Sequence, residues 1–293
     1  MRVLVAGATG FVGEPLCQAL RAEGHSVVIV SRDPGRAGEG AVGWDAVPRV
    51  VRDVDAIVNL AGEPLAARRW SGAQKMRILE SRVGTTRALV EAVKAAQSRP
   101  SVLVSASAVG FYGDRGDEAL DETAGPGKGF LSKVCQAWEG EAMRGEALGL
   151  RLVRLRFGII LAADGGALAQ MLPLFRAFVG GPFGNGRQWM SWIHRDDATG
   201  IILDTLAKDG YRGPVNATAP QPVTNRDFAK ELGAALARPA IMRVPATIVR
   251  LALGEMADML LTGQRVLPAT AQRLGYRFRY PQLMAALRAS ARR

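Results

Sequence analysis

The first half of the chain alternates short apolar runs with longer stretches in which apolar residues recur at helical spacing. The short runs are rich in β-branched residues and bounded by turn-forming residues, as buried strands of a parallel sheet are. They cover residues 3–5, 27–30, 56–60, 102–105 and 152–155. The helical stretches between them cover residues 12–23, 71–97 and 130–148. This order predicts an α/β fold, a doubly wound parallel sheet with right-handed crossovers and helices on both faces.

The second half has a different pattern, with long loops rich in Gly and Pro between fewer regular stretches. One more strand and two more helices are predicted, at residues 215–218, 225–237 and 246–261. We therefore divide the chain into residues 1–163 and a smaller, mostly helical C-terminal lobe over residues 164–293. The late strand, near residues 213–218, is expected to join the sheet of the first unit.

A glycine-rich turn, residues 7–13, directly follows the first strand and opens the first helix. One glycine permits the tight turn, one lets the backbone approach a pyrophosphate, and one lets the helix pack against the strand. The helix N-terminus then offers free N–H groups and a positive dipole to the phosphates. The residues assigned to a dinucleotide here are Gly7, Thr9, Gly10, Phe11, Val12 and Gly13.

The end of the second strand distinguishes the two nicotinamide dinucleotides. An acidic residue at this point would bind the ribose hydroxyl of NAD, but the chain has Ser31 and Arg32. Arg32 can clamp and stack on a 2′-phosphoadenosine while Ser31 donates a hydroxyl, so the pattern favours NADP(H). Under the alternative interpretation Arg32 is a solvated loop residue, and Asp33 begins a turn before Pro34.

Cysteine and histidine are too few for a disulfide framework or a zinc site. The two Cys, Cys17 and Cys135, and the two His, His25 and His194, have no metal-ligand spacing, so no metal is predicted. Both His are interpreted as structural, with Asp197 capping the helix after His194. No run of 18 apolar residues or signal-peptide pattern occurs, so we expect a soluble, cytoplasmic protein.

The net charge of +11 is concentrated near the C-terminus. From Arg238 onward there are ten arginines and only two acidic residues, which accounts for +8. Such a segment suits nucleic acid, an anionic membrane or an anionic small ligand. Because Arg250, Arg265 and Arg273 fall among apolar helical residues, as snorkelling surface positions do, we favour a small ligand and predict no nucleic-acid or membrane partner. The oligomeric state is left open.

Further motifs are distributed along the whole chain. They are Trp44-Asp45, Asn59-Leu60-Ala61-Gly62-Glu63, Arg69-Trp70, Ser81-Arg82, residues 108–113, Trp138-Glu139, Gly186-Arg187-Gln188, Trp192-Ile193-His194 and Gly263-Gln264-Arg265-Val266. With the glycine turn and Ser31-Arg32, they make the chain resemble the atypical, extended short-chain dehydrogenase/reductases. The resemblance is greatest to the nucleoside-diphosphate-sugar epimerase-like group called epimerase family proteins. It implies a Rossmann-type NADP-binding domain at residues 1–163 and a substrate-side lobe at residues 164–293.

The same resemblance reveals a difference in the catalytic residues. Typical members use a Ser, a Tyr that exchanges a proton with the substrate, and a Lys four residues later that lowers the pKa of the Tyr and holds the nicotinamide ribose. Aligning Glu139 with the family's glutamate places Leu131 and Cys135 at the Tyr and Lys positions. Aligning Lys133 with the lysine instead places Gly129 at the Tyr position. Neither register supplies a tyrosine.

Two residues after the fourth strand are the candidates to replace this pair. Ser107 is the nearest match to the family's serine and lies at the sheet edge where such folds place ligands. Tyr112 has the chemistry of a proton donor, with an ordinary pKa of about 10. The alternative is that Tyr112 only lines the pocket.

The resemblance also implies binding roles for residues outside the glycine turn. Asn59, Leu60, Ala61 and Gly62, after the third strand, and Arg82, on the long helix, are assigned to the cofactor. Otherwise Arg82 is a surface arginine.

Two residues, Glu63 and Arg187, are assigned to the substrate. Glu63 is either a carboxylate base or the cap of a turn, and Arg187 lies in a glycine-rich loop that suits an anion.

Two functions follow from these assignments. The first is an NADP(H)-binding oxidoreductase or epimerase acting on a small polar substrate, nucleotide-linked or anionic, without the usual Tyr–Lys pair. The second is a non-catalytic NADP(H) sensor or scaffold.

Overall fold

The central sheet of the computed structural model, which describes residues 1–38 and 40–291, consists of six parallel strands. The strands of the described ranges are β1 (Arg2–Ala6), β2 (Ser26–Val30), β3 (Ala56–Asn59), β4 (Val102–Ala108), β5 (Ala119–Leu120), β6 (Arg151–Phe157), β7 (Ile159–Ala162), β8 (Trp189–Met190), β9 (Trp192–His194), β10 (Gly213–Ala217), β11 (Val223–Thr224) and β12 (Arg265–Val266). The helices are α1 (Gly13–Ala22), α2 (Pro34–Ala37), α3 (Val47–Val50), α4 (Gly72–Ala95), α5 (Phe130–Met143), α6 (Gly166–Arg176), α7 (Arg195–Ala207), α8 (Asn225–Leu236), α9 (Ala246–Leu253), α10 (Asp258–Leu261), α11 (Ala269–Arg273) and α12 (Leu283–Ala291).

The strand order across the sheet is β10-β6-β4-β3-β1-β2. All five pairings are parallel, and β1 lies between β2 and β3, so the chain builds outward in both directions from β1. The predicted doubly wound α/β sheet is confirmed. In such a sheet ligands bind at the carboxyl ends of the strands, near the point where the order reverses.

Both faces of the sheet are buried, which explains the continuous apolar runs in its strands. On one face Val3 and Val5 of β1 pack in a cluster with Leu16 of α1 and Ile201 of α7. On the other face Leu4 packs with residues of α4 and α5. The sheet is therefore held between two layers of helices.

Strands β4 and β6 extend beyond their apolar runs toward the carboxyl edge. The β4–β6 ladder pairs Ser105 with Arg154 and Ser107 with Arg156, and the second pair lies beyond residues 102–105 and 152–155, where the sequence pattern predicts these strands. Polar residues continue the ladder because their side chains have buried partners, described below. The chain thereby carries polar groups to the ligand-binding edge.

The C-terminal lobe packs α6, α8 and α12 around a third apolar cluster, and β10 returns to the main sheet beside β6. The single helix predicted over residues 246–261 is wrong, because Gly254 at φ 60° separates α9 from α10. Arg265 was expected among helical residues but lies on β12. The cap of α7 is His194, whose Nδ1 accepts from the N–H of Asp196 at 3.1 Å, rather than Asp197. None of the helices in the described ranges combines the length and apolar character needed to cross a bilayer.

Candidate functional site

The glycine turn joins β1 to α1 and rests against the end of β3. Gly7 has a φ of 81°, and a Cβ there would lie 2.7 Å from the carbonyl carbon of Leu60. A Cβ at Gly13 would lie 2.1 Å from the carbonyl oxygen of Gly7, so neither position accepts a side chain. Thr9 and Gly10 are exposed at the tip of the turn. Because Val12 gives α1 no side-chain cap, its first N–H groups suit a phosphate, and the turn fits a dinucleotide.

The residues after β2 have separate roles. The Ser31 hydroxyl accepts a hydrogen bond from the N–H of Asp33 at 3.1 Å, which fixes the turn. Asp33 pairs with Arg36 at 3.3 Å, whereas exposed Arg32 makes no hydrogen bond or ion pair with the rest of the described chain. Arg32 therefore presents a cation at the carboxyl edge that suits a phosphate, although a solvated loop arginine would have the same geometry.

Asn59 fixes the loop that follows β3. Its Nδ2 donates to Thr86 Oγ1 at 2.9 Å, and its Oδ1 accepts from the N–H of Ala61 at 3.2 Å. Trp138 Nε1 donates to the same Thr86 hydroxyl at 3.0 Å. The side chain of Asn59 is fully buried, so it supports the loop and the neighbouring half-buried Leu60 presents the surface toward the glycine turn.

Arg82 reaches from α4 to this same loop. A Cβ at Gly62 would lie 3.1 Å from Arg82 Cζ, and the guanidinium carbon stands 5.3 Å from the ring centroid of Trp138. Burial lowers the pKa of Arg82, and among the described residues no carboxylate pairs with it. Arg82 is thus a half-buried cation beside the predicted cofactor loop, and the surface alternative fits it less well.

One face of α5 carries Leu131, Cys135 and Glu139 at intervals of four residues. The Cβ of Leu131 lies 3.3 Å from where a Cβ at Gly110 would stand, and Cys135 Sγ lies 3.7 Å from the carbonyl oxygen of Ala108. Burial raises the pKa of Cys135 to about 11. At neutral pH this side chain is a packed, protonated thiol, so the face offers neither a tyrosine nor a lysine.

Glu139 is the centre of a buried polar network. Its side chain is 2% exposed and pairs with Arg156 through Nε at 2.8 Å and Nη2 at 2.9 Å. Arg154 adds a contact at 3.1 Å, and the Ser107 hydroxyl donates to Glu139 Oε1 at 2.7 Å. Ser107 is therefore held in one orientation by a carboxylate that two arginines neutralise.

Tyr112 joins the network from the other side of Arg156. Its hydroxyl accepts from Arg156 Nη1 at 2.9 Å and donates to Asn216 Oδ1 at 2.8 Å. The side chain is fully buried, and burial raises the pKa of Tyr112 although Arg156 acts in the opposite direction. This environment favours the interpretation in which Tyr112 supports the site. A role as proton donor stays a prediction.

The structure does not bring the two predicted substrate residues together. The backbone N–H of Glu63 donates to Ser81 Oγ at 2.9 Å, which places Glu63 near Arg82. Arg187 is exposed on the loop after α6, where its N–H donates to Asn185 Oδ1 at 2.9 Å. Their substrate roles stay predictions.

Sequence reasoning assigned no role to Arg154, Arg156 or Asn216. The signal for the two arginines is their spacing among the apolar residues of β6, since residues two apart share a face and a buried guanidinium requires a partner. Nothing comparable points to Asn216. Within the described ranges no group of three or more His, Cys, Asp or Glu side chains could hold a metal ion.

Comparison with known proteins adds family matches over most of the chain. Residues 3–216 match the model of the NAD dependent epimerase/dehydratase family, and residues 244–290 match a domain of unknown function, DUF1731. The chain is 40% identical to an Arabidopsis thaliana protein, the chloroplastic homologue of epimerase family protein SDR39U1, covering 99% of this chain and 86% of the relative. Because that relative is chloroplastic, a cytoplasmic location of this chain stays a prediction.

Two solved structures share the fold and part of the sequence. Human epimerase family protein SDR39U1, crystallised with NADPH, superposes with a TM-score of 0.94 at 39% identity, covering 100% of this chain and 99% of that one. A nucleoside-diphosphate sugar epimerase from Corynebacterium glutamicum superposes with a TM-score of 0.81 at 34% identity, covering 99% of this chain and 58% of the other.

Proposed function

This chain belongs to the NAD dependent epimerase/dehydratase family, and we propose on that premise that it binds NADP(H) and acts as an oxidoreductase or epimerase on a small polar, anionic or nucleotide-linked substrate. The main evidence for NADP(H) binding is the glycine turn at the N-terminus of α1, together with unpaired Arg32 after β2. The NADPH in the crystals of human SDR39U1 supports the same choice.

The residues that would hold the cofactor line the carboxyl edge of the sheet. The glycine turn and the first N–H groups of α1 bind the pyrophosphate, and Arg32 binds the 2′-phosphate. The loop from Asn59 to Gly62, backed by Arg82, supports the nicotinamide half. When bound, the nicotinamide supplies hydride transfer.

Ser107 is the residue that we propose contacts the reacting group. The Ser107 hydroxyl donates its proton to Glu139, so its oxygen is free to accept a hydrogen bond from a substrate hydroxyl. That hydrogen bond orients the substrate hydroxyl. Tyr112, through Arg156 and Glu139, holds Ser107 in place. The chain thus orients a substrate hydroxyl without the family's Tyr–Lys pair.

The cofactor proposal is tested by titrating NADPH and NADH against wild-type protein, Arg32→Gln and Arg36→Gln. We expect Arg32→Gln to weaken NADPH binding about tenfold, or ~1.4 kcal/mol, and to leave NADH binding unchanged. Arg36 is the matched control, because it is 90% exposed, lies four residues after Arg32 and already pairs with Asp33. Equal loss of both dinucleotides, or wild-type preference for NADH, would contradict the assignment of the 2′-phosphate to Arg32.

The alternative function is a non-catalytic NADP(H) sensor. Full burial of Tyr112 and the Leu131 and Cys135 positions on α5 favour it, because no exposed acid or base stands where the family has its pair. A sensor should bind NADPH at least about tenfold more tightly than NADP⁺. If the wild-type protein turns over an alcohol, ketone or sugar nucleotide and Ser107→Ala does not, the chain is an enzyme and the sensor alternative is wrong.

A further inference from the structure

Arg265 is a half-buried arginine whose charge has no partner in the described part of the chain. Its Nε atom is buried without a hydrogen-bond acceptor, and no carboxylate within residues 1–38 and 40–291 lies within ion-pairing distance. The arginines of β6 have carboxylate partners, since Arg151 pairs with Asp209 and Arg156 pairs with Glu139. Withdrawing a cation from water without a partner is costly, so this position indicates a missing anion.

The guanidinium of Arg265 is stacked on an aromatic ring. Its Cζ lies 4.7 Å from the ring centroid of Trp189, and the indole Nε1 donates to Asp117 Oδ1 at 2.7 Å. A ring on one face of a guanidinium leaves the donors at its edge directed outward in one plane, the geometry that binds a carboxylate or phosphate through two hydrogen bonds.

The backbone beneath this pair is fixed before any ligand arrives. Ser191 Oγ donates to the carbonyl oxygen of Gln264 at 2.7 Å and accepts from the N–H of Val266 at 2.9 Å. At Gly263 a Cβ would lie 2.0 Å from the carbonyl oxygen of Trp189, so the two segments are in direct backbone contact. Little conformational freedom is therefore lost when an anion binds.

Arg265 and Trp189 lie beside the cluster that contains Tyr112, on the side of the C-terminal lobe. Val266, the next residue of β12, packs in one cluster with Tyr112 and Cys135. Successive residues of a strand face opposite sides, so Arg265 faces away from that cluster toward the C-terminal lobe. The Arg265 guanidinium is therefore on the lobe side of this cluster, against the ring of Trp189.

We propose that Arg265, stacked on Trp189, is the binding residue for the carboxylate or phosphate group of the substrate. The identification of the anion as part of the substrate rests on the proposed function, whereas anion binding at Arg265 does not. The site selects a ligand with a negative group at the end that extends toward the lobe.

The test uses the full chain saturated with NADPH, so that the phosphate sites of the cofactor are filled, and titrates pyrophosphate and malonate in separate calorimetric runs. We expect saturable binding of at least one probe, and the two runs distinguish a phosphate from a carboxylate preference. Arg265→Gln should weaken that binding at least tenfold, and Arg265→Lys should weaken it less because one point charge remains. Arg277→Gln, at an exposed arginine of the same lobe, should leave it unchanged.

Urea unfolding of Arg265→Met separates binding from a structural role. If Arg265 serves to bind a ligand, replacing it should not destabilise the protein. The urea midpoint of Arg265→Met should therefore equal or exceed that of the wild type. The proposal is overturned if neither probe binds, if Arg265→Gln binds as wild type does, or if Arg265→Met unfolds at a clearly lower urea concentration. Should the wild-type chain fail to bind NADPH, the cofactor proposal fails, and the same titrations without NADPH still decide the role of Arg265.

Discussion

At the scale of single residues, Glu139 has the largest predicted effect on stability. Replacing it with Gln leaves Arg156 buried without a counter-ion and removes the carboxylate that Arg154 and Ser107 contact. We expect Glu139→Gln to lower the free energy of unfolding by about 3–5 kcal/mol, measured by urea denaturation.

The matched control is Asp258→Asn, which breaks the exposed pair with Arg250 at 3.1 Å. Exposed pairs contribute at most about 1 kcal/mol. If the two variants lose similar amounts, Glu139 is not the centre of the network.

Cys135 makes the free energy of unfolding depend on pH in the alkaline range. Burial raises the pKa of its thiol from 9.0 to about 11, so above pH 9 the thiol ionises in the unfolded chain before it does in the folded one. This contribution to stability is complete below pH 9 and is lost as the pH rises toward 11.

The free energy of unfolding should therefore fall between pH 9 and pH 11 by a few kcal/mol more in wild type than in Cys135→Ala, since each pKa unit corresponds to ~1.4 kcal/mol. Both proteins share every other titrating group, so the difference between their pH profiles isolates this thiol. Parallel profiles would contradict the buried thiol.

At the scale of elements, Asp197 fastens the segment before α12 to the start of α7. Its carboxylate oxygens accept from the N–H groups of Arg279 at 2.7 Å and Tyr280 at 2.9 Å. Asp197→Asn replaces one acceptor with a donor, and we expect a loss of about 1.5–3 kcal/mol in urea denaturation. Asp53→Asn, at a carboxylate 54% exposed, should stay within about 0.5 kcal/mol of wild type. Similar losses in both would rule out this fastening role.

The elements also indicate what the sequence can predict. The strands of the sheet and the helices α1, α4 and α5 are predicted within a few residues, because apolar periodicity reports burial against the sheet. The pattern fails where side-chain partners replace hydrophobic burial, as in the polar ends of β4 and β6, and where one glycine interrupts a helical pattern, as at Gly254.

The candidate site follows the same division. The glycine turn and Arg32 are predictable because backbone geometry and phosphate chemistry demand those residue types locally. The link from Ser107 through Glu139 and Arg156 to Tyr112 joins residues 32 and 44 positions apart, and no local pattern encodes such pairings. Arg265 shows the reverse error, since apolar neighbours suggested a helix where a two-residue strand lies.

At the scale of the whole molecule, part of the excess of positive charge is engaged in local contacts. Several arginines of the basic segment have local roles: Arg250 pairs with Asp258, Arg279 with Asp196, and Arg243 donates to the carbonyl oxygen of Gly184. We expect filter binding at low salt to retain neither DNA nor RNA. Retention that weakens steeply with added salt would show that the surplus charge binds a polyanion.

Strand β10 has a consequence for synthesis of the chain. It lies at the sheet edge beside β6, yet some 55 residues separate the end of one strand from the start of the other. At roughly 5–20 residues per second on the ribosome, β6 emerges several seconds before its neighbour does. During that interval its outer edge and its buried arginines lack their final cover. The nascent chain therefore passes through a stage at which a chaperone, or another unpaired strand, competes with β10 for the same row of backbone hydrogen bonds.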